Sequence, residues 1–296
     1  MYPTITNSNY SFSKENEPAA TVPSGTTVKF SATDAFGGQI TRQNAKDGLK
    51  NFDWNRVNPA AGPLKVEGAQ PGDVLKVEIL DIQITGDTAV LMTGNALGVC
   101  KEFFDDNHIR VVDIADGCVV FSPEIKLPIR PMVGVIGVAP AAEAVNNGTP
   151  GEHGGNMDCK EITAGSTLYL PVNVEGALLS IGDAHAAMAD GESSGTGAEA
   201  PADILVKVEV LKNCPWPTPL IENDTHYMPL ASALTADEAI DNAVLKGVGF
   251  LMNTQGMTRF DAITLISLAA DVRICQVVDP LKTARLNIPK SLLKQN

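Results

Sequence analysis

The chain has 296 residues, 44% hydrophobic and 19% charged, which suits one large or two ordinary globular domains rather than a disordered chain. Its 22 basic against 35 acidic residues give a formal charge of −13, and aromatics make up only 5%. That balance excludes the basic footprint and stacking rings of a general nucleic-acid binder, and it excludes attraction to anionic lipid.

In chain order, the first two-thirds read as β-structure. Val22–Phe30 is a turn feeding an alternating strand. Glu67–Leu80 repeats that layout, with Leu75, Val77 and Ile79 on one face and Lys76 and Glu78 on the other. A third copy lies at Ile162–Leu170, and Pro131–Pro140 reads as a buried strand whose glycines permit close packing. Ala177–Ile181 is a further strand, and Ala202–Lys212 alternates Ile204, Val206, Val208 and Val210 against Lys207 and Glu209. Three prolines between Cys214 and Pro219 end regular structure. Two helices follow. Thr235 to Glu238 forms a capping box ahead of Ile240, Val244, Val248 and Leu251. Thr258 opens the second helix, whose apolar face is expected to include Ile263, Ile266 and Ala270. Val272–Val278 reads as a closing strand.

The N-terminal residues lack a basic stretch followed by an apolar run, so no export signal is expected. The longest apolar stretch, Val133–Ala142, falls well short of the roughly 20 residues a spanning helix needs. The five cysteines (Cys100, Cys118, Cys159, Cys214 and Cys275) are scattered and form no C-x-x-C pair. Neither a disulfide framework nor a Cys-rich zinc site is expected, and a cytoplasmic location without membrane contact follows as the expectation.

The densest polar cluster runs from Pro150 to Glu199. It holds His153, Gly155, Asn156 and Asp158, then Asp183, His185, Asp190 and Glu192, and finally Glu199. If the 177–181 strand continues, Asp183 and His185 point to the same side, because side chains two apart on a strand share a face. One imidazole with carboxylates from several strand ends is a shell for a divalent ion. The bland reading is that Gly-Asp and Asp-Gly pairs simply form turns and that His153 is an ordinary surface histidine. His108 reads as a solvated loop residue, and His226 as a ligand or a helix-entry turn residue. No Walker lysine, G-x-G-x-x-G or G-x-S-x-G pattern is present.

These segments resemble the acetamidase/formamidase family of amide hydrolases. The resemblance is carried by Asn58–Pro63, Gly68–Asp73, Pro131–Pro140, Pro150–Asp158, Gly165–Val172, Gly182–Glu192 and Leu268–Val278, in the family's order along nearly the whole chain. The chain departs from the family pattern at Ala184, where proline is expected, and at Met188–Ala189, where Gln-Gly is expected. It departs again at Ala198, where a bulkier apolar residue usually precedes Glu199. The resemblance implies a mainly β fold: a jelly-roll-like β-sandwich with a β-barrel insertion and a C-terminal α+β unit. We expect segments at 1–84, 85–150, 151–214 and 215–296, corresponding to an N-terminal sandwich part, the insertion, a glycine-rich site-bearing part and the C-terminal unit. It also implies hydrolysis of a small neutral aliphatic amide to carboxylate and ammonia, a bound divalent metal, and a homodimer or higher oligomer.

The expected metal ligands are Asp158, Asp183 and His185, with Asp34 and His153 as further candidates. Zn²⁺ is the first expectation and Ca²⁺ the alternative. Glu192 is the expected general base and acid, with Asp190 or Glu199 as substitutes, while Asn156 and Gly155 are expected at the substrate. Cys159 is the rival nucleophile, which would require a histidine base in contact. The alternative from another class is a catalytically silent metabolite- or sugar-binding β-sandwich with a structural ion.

Overall fold

The computed structural model describes residues 2–47 and 49–294. It is mainly β, with two helices near the C-terminus. A nine-stranded sheet has at its centre Ala202–Leu211, Val74–Ile84 and Thr167–Pro171. Thr27–Ala32 lies on one side; Leu220–Glu222, His226–Ala233, Lys282–Pro289 and Asp271–Gln276 continue on the other. The expected segments 1–84, 151–214 and 215–296 therefore all place strands in this one sheet. A six-stranded sheet includes Gly154–Asn156, Met132–Gly137, Leu179–His185 and Ala60–Val66 in adjacent order.

The period-2 alternation works as the sequence predicts. Leu75, Val77 and Ile79 from one strand and Ile204, Val206 and Val208 from its neighbour are buried. They join Leu64, Val133, Ile136, Leu179 and Ile181 of the other sheet in one apolar cluster. On the outer face Lys76 pairs with Glu78 at 2.6 Å.

The insertion is an antiparallel four-stranded sheet of Thr88–Gly94, Asn107–Ala115, Cys118–Val120 and Lys126–Pro128. Its order is linear, and no closed barrel forms among the described residues. His108 lies in one of these strands rather than in a loop. The insertion is stitched to the glycine-rich loop at several points. Val90 and Glu199 exchange backbone hydrogen bonds of 2.9 and 3.1 Å. The Thr196 hydroxyl donates to Met92 O at 3.1 Å and accepts from Met92 N at 3.0 Å.

Helix α1 (Ala236–Gln255) and helix α2 (Arg259–Ala269) begin at the predicted caps, where Thr235 accepts from Glu238 N and Thr258 from Asp261 N. α1 buries Ala239, Ala243, Gly247, Val248 and Leu251. α2 buries Ala262 and Ile266, but Ile263 is 46% exposed and Ala270 lies beyond the helix as its cap. A step of one residue rotates the side chain by about 100°, so a helix that seats 262 and 266 turns 263 outward. Among the described residues no helix is long and apolar enough to cross a membrane.

Candidate active site

Two strands and the loop that ends at Glu199 meet where the six-stranded sheet borders the insertion. The Leu179–His185 strand carries Asp183 and His185. Both side chains point to one side, as the spacing predicts, and the His185 Nε2 to Asp183 Oδ1 distance is 3.3 Å. Asp158 follows the Gly154–Asn156 strand, and its Oδ1 lies 3.6 Å from the same nitrogen. Glu199 brings Oε2 to 3.2 Å of it, while its Oε1 accepts from Gly197 N at 2.7 Å.

This cluster is buried, with His185, Asp158 and Glu199 each at most 2% exposed. Two glycines make room for it. A Cβ on Gly134 would collide with Asp158 Oδ1 and lie 2.8 Å from Asp183 Oδ2, and one on Gly197 would collide with the His185 ring. The sequence marks the 131–140 glycines as packing residues, but only the fold shows that Gly134 packs against this cluster.

Glu192 and Asp279 complete the group. Both line a cavity of about 150 Å³ together with Asn156, Asp158, Asp183 and Glu199, under Phe36 and Trp54. Asp279 is the residue that sequence reasoning missed. It sits in the turn between the last two strands, where Gln276 Oε1 accepts from its backbone N–H. Its Oδ2 accepts from Asn156 Nδ2 at 3.0 Å. An acid at the end of the 271–276 strand was the only available signal, and the polar cluster it joins lies 80 or more residues earlier in the chain.

The electrostatics follow from packing five carboxyl groups around one imidazole. Burial, then the charge of Asp183, pushes Asp158 up to about 7. Burial raises Glu199 to about 8 against the pull of His185. Glu192 stands well above the usual carboxylate range because of burial and then Asp158, and Asp279 is raised by burial, Asp158 and Glu192. Burial opposes charge on Asp183 and on His185 as well. Attraction wins in both: His185 lowers Asp183, while Glu199 and then Asp183 raise the imidazole.

These residues fit a divalent cation. The sets Asp158, Asp183, His185 and His185, Glu192, Glu199 each bring their ligand atoms within 4.8 Å of one another. Asp158 Oδ1 and Glu199 Oε2 are buried oxygens without a hydrogen-bond donor. Buried acceptors left unpaired are costly, and a mixed carboxylate and imidazole set is the donor chemistry of Zn²⁺ and its neighbours.

The other expected site residues make their contacts outside the His185 group, although Asp34 is near enough to feel the charge of Asp183. Asp190 is held by Arg285 through two 2.9 Å bonds and by Lys160 at 3.0 Å, so its carboxylate faces the C-terminal sheet. Asp34 Oδ1 accepts from Phe36 N at 2.8 Å and Gly38 N at 3.1 Å, an arrangement that seats Phe36 at the cavity wall. Gly155 gives space to the His153 ring, whose Nε2 would lie 2.8 Å from a Cβ there. Cys159 is buried beside Cys275 and Arg285 with no histidine base among these neighbours. His226 begins a strand and bonds Thr225 Oγ1 at 2.8 Å.

His153 is buried edge-on against Phe12 at a 5.0 Å centroid distance, away from the His185 group. Burial holds its imidazole down to about 4, against 6.5 for a free histidine. The unfolded chain therefore takes up a proton between these values and the folded protein does not, so stability is complete above pH 6.5 and falls as pH drops towards 4. We expect wild type to lose about 3 kcal/mol relative to His153→Gln between pH 7 and pH 4, read from denaturant unfolding at each pH. Parallel stability curves for the two proteins would refute this.

The description Acetamidase/Formamidase family belongs to the family model that matches residues 11–149 and 141–295. An acetamidase crystal structure from Bacillus halodurans superposes with a TM-score of 0.94 at 44% identity, over 98% of both chains. A predicted acetamidase/formamidase from Thermoanaerobacter tengcongensis does so at 0.95 and 43% identity, over 99% of this chain and 97% of that one. The formamidase of Methylophilus methylotrophus is 28% identical over 250 residues, 66% of this chain and 61% of that protein. The chain spans 61 to 63% of the length of the curated relatives it matches. A family match along nearly its entire length, on the fold just described, places this chain in the acetamidase/formamidase family.

Proposed function

We propose that the protein hydrolyses short linear amides, of the formamide and acetamide type, to a carboxylate and ammonia. The observation that carries this reading is His185 ringed by Asp158, Asp183 and Glu199, three acids that line a small cavity together with Glu192. Asp158, Asp183 and His185 are the residues that would hold a divalent ion, Zn²⁺ first and Ca²⁺ as the alternative. When bound, such an ion supplies Lewis-acid polarisation of the amide carbonyl and lowers the pKa of water.

The chain's own groups do the rest. Glu192 accepts a proton as a water oxygen bonds to the carbonyl carbon. It returns that proton to the nitrogen as the C–N bond breaks, so that ammonia leaves and the carboxylate remains. Burial and then the charge of Asp158 raise its pKa, which makes its carboxylate a stronger proton acceptor. Asn156 Nδ2 is committed to Asp279, but its buried Oδ1 lacks a donor and is free to accept an N–H of the substrate amide. Phe36, Trp54 and Met92 in the wall keep bulk water out.

The test is ammonia release from formamide, acetamide and propionamide by protein as purified, after chelation and after metal add-back. Loss on stripping with recovery on one metal is expected. No release from any amide by metal-loaded protein would overturn the reaction. Full activity in protein shown by elemental analysis to be metal-free would overturn the role of the ion.

A further inference from the structure

The glycine-rich loop has a second side. A groove of about 810 Å³ lies between it and the four-stranded insertion, within the roughly 300–1,000 Å³ typical of small-molecule sites. One wall is the sheet, with Leu91, Ile109, Val119 and Leu127, and the other is Ala187–Ala189 and Ala198 of the loop. Met92, Glu192 and Thr196 line this groove and the inner cavity alike. The proposed proton carrier therefore borders both spaces.

Resting on the amide-hydrolase reading, we infer that this groove takes the acyl chain of the substrate. The preferred class is then aliphatic primary amides longer than propionamide, with the amide group beside Glu192 and the chain running past Met92 and Thr196 along the insertion.

Three features favour an apolar chain over a polar or charged one. The wall is mainly apolar, with His108, Arg110 and Arg130 at its exposed edge, and its small alanines leave volume rather than fill it. Its other acid, Asp190, has both oxygens turned to Arg285, so Glu192 is the only carboxylate of the lining without a cationic partner. Finally, the wall does not move independently of the chemistry. The bonds of Thr196 to Met92 and of Glu199 to Val90 fix the sheet to the loop, so a chain seated on the sheet is held in register with Glu192.

Each methylene that leaves water in such a groove strengthens binding by up to about fourfold. We expect kcat/KM to rise from acetamide through butyramide to hexanamide by roughly 30-fold or more in total. Leu127→Glu, a change on an exposed edge of the wall, is expected to cut the hexanamide-to-formamide ratio roughly fivefold or more while formamide turnover is unchanged. In parallel, calorimetry on Glu192→Gln protein is expected to show tighter binding of hexanamide than of acetamide.

Turnover of formamide and acetamide with a flat or falling chain-length profile would overturn the groove assignment and leave the amidase reading intact. No turnover of any amide would sink the amidase reading. The calorimetric comparison would then decide the groove alone, equal binding overturning it. Leu127→Glu that breaks up an oligomer in light scattering, with the chain-length ratio unaltered, would assign the groove to a subunit contact and likewise overturn the proposal.

Discussion

Replacing Glu192 with glutamine should lower kcat for ammonia release by about 10²–10⁴-fold, the range for loss of a positioned general base and acid. The substitution keeps the shape of the side chain, so no cavity opens and the loop should hold its course. Asp158 is one of the charges that raise the Glu192 carboxyl. A neutral amide there removes that repulsion, and the midpoint of unfolding should not fall. Bound metal, measured by elemental analysis, should also be retained, because Asp158, Asp183 and His185 are untouched. Glu199→Gln should behave differently. Glu199 lies 3.2 Å from His185 Nε2 and accepts from Gly197 N, so its loss disturbs the imidazole itself, and metal content should drop together with activity. Turnover by Glu192→Gln within a few-fold of wild type would remove the role assigned to that residue.

The largest effect on stability should come from Arg285. It is 1% exposed, with its guanidinium bonded twice to Asp190, donating to Ile274 O at 3.0 Å and lying 3.5 Å from Glu161. Arg285→Met strips the cation from a pocket built around it and leaves Asp190 without its main partner. Breaking a buried pair from one side costs about 3–5 kcal/mol; Asp190 is partly exposed and keeps Lys160, so a loss of about 3 kcal/mol or less is expected, read as a lower denaturant midpoint at unchanged m-value. Asp190→Asn in the same protein should recover part of that loss, because much of the cost is the stranded carboxylate rather than the missing bond.

Activity should also fall in Arg285→Met. Asp190 precedes Gly191, whose N–H donates to Cys275 O at 2.8 Å and whose carbonyl accepts from Val277 N. This segment docks the loop carrying Glu192 on the C-terminal sheet. An additive double mutant, with no recovery, would show that Asp190 and Arg285 are not energetically coupled.

Much of the architecture was legible in the residues because it depends on neighbours in the chain. Alternation over 74–84 and 202–211 determined which side chains face the core, since side chains two apart share a face. The same geometry placed Asp183 and His185 together, and the caps at Thr235 and Thr258 marked both helix starts. Resemblance to the family drew attention to the acids that the fold gathers around His185.

What the tertiary structure decided is which of those acids meet. Asp190 and Glu192 are two residues apart in one acidic run. Arg285, almost a hundred residues on, draws the first to the C-terminal sheet and leaves the second at the cavity. Asp279 enters the site because the 271–276 and 282–289 strands pair and turn over Asn156. The His153 ring packs edge-on against Phe12 in space left by Gly155. Local spacing carries the direction of a side chain relative to its own strand. Convergence on one point depends on strand order and crossing between distant segments, and no periodicity in the sequence records that.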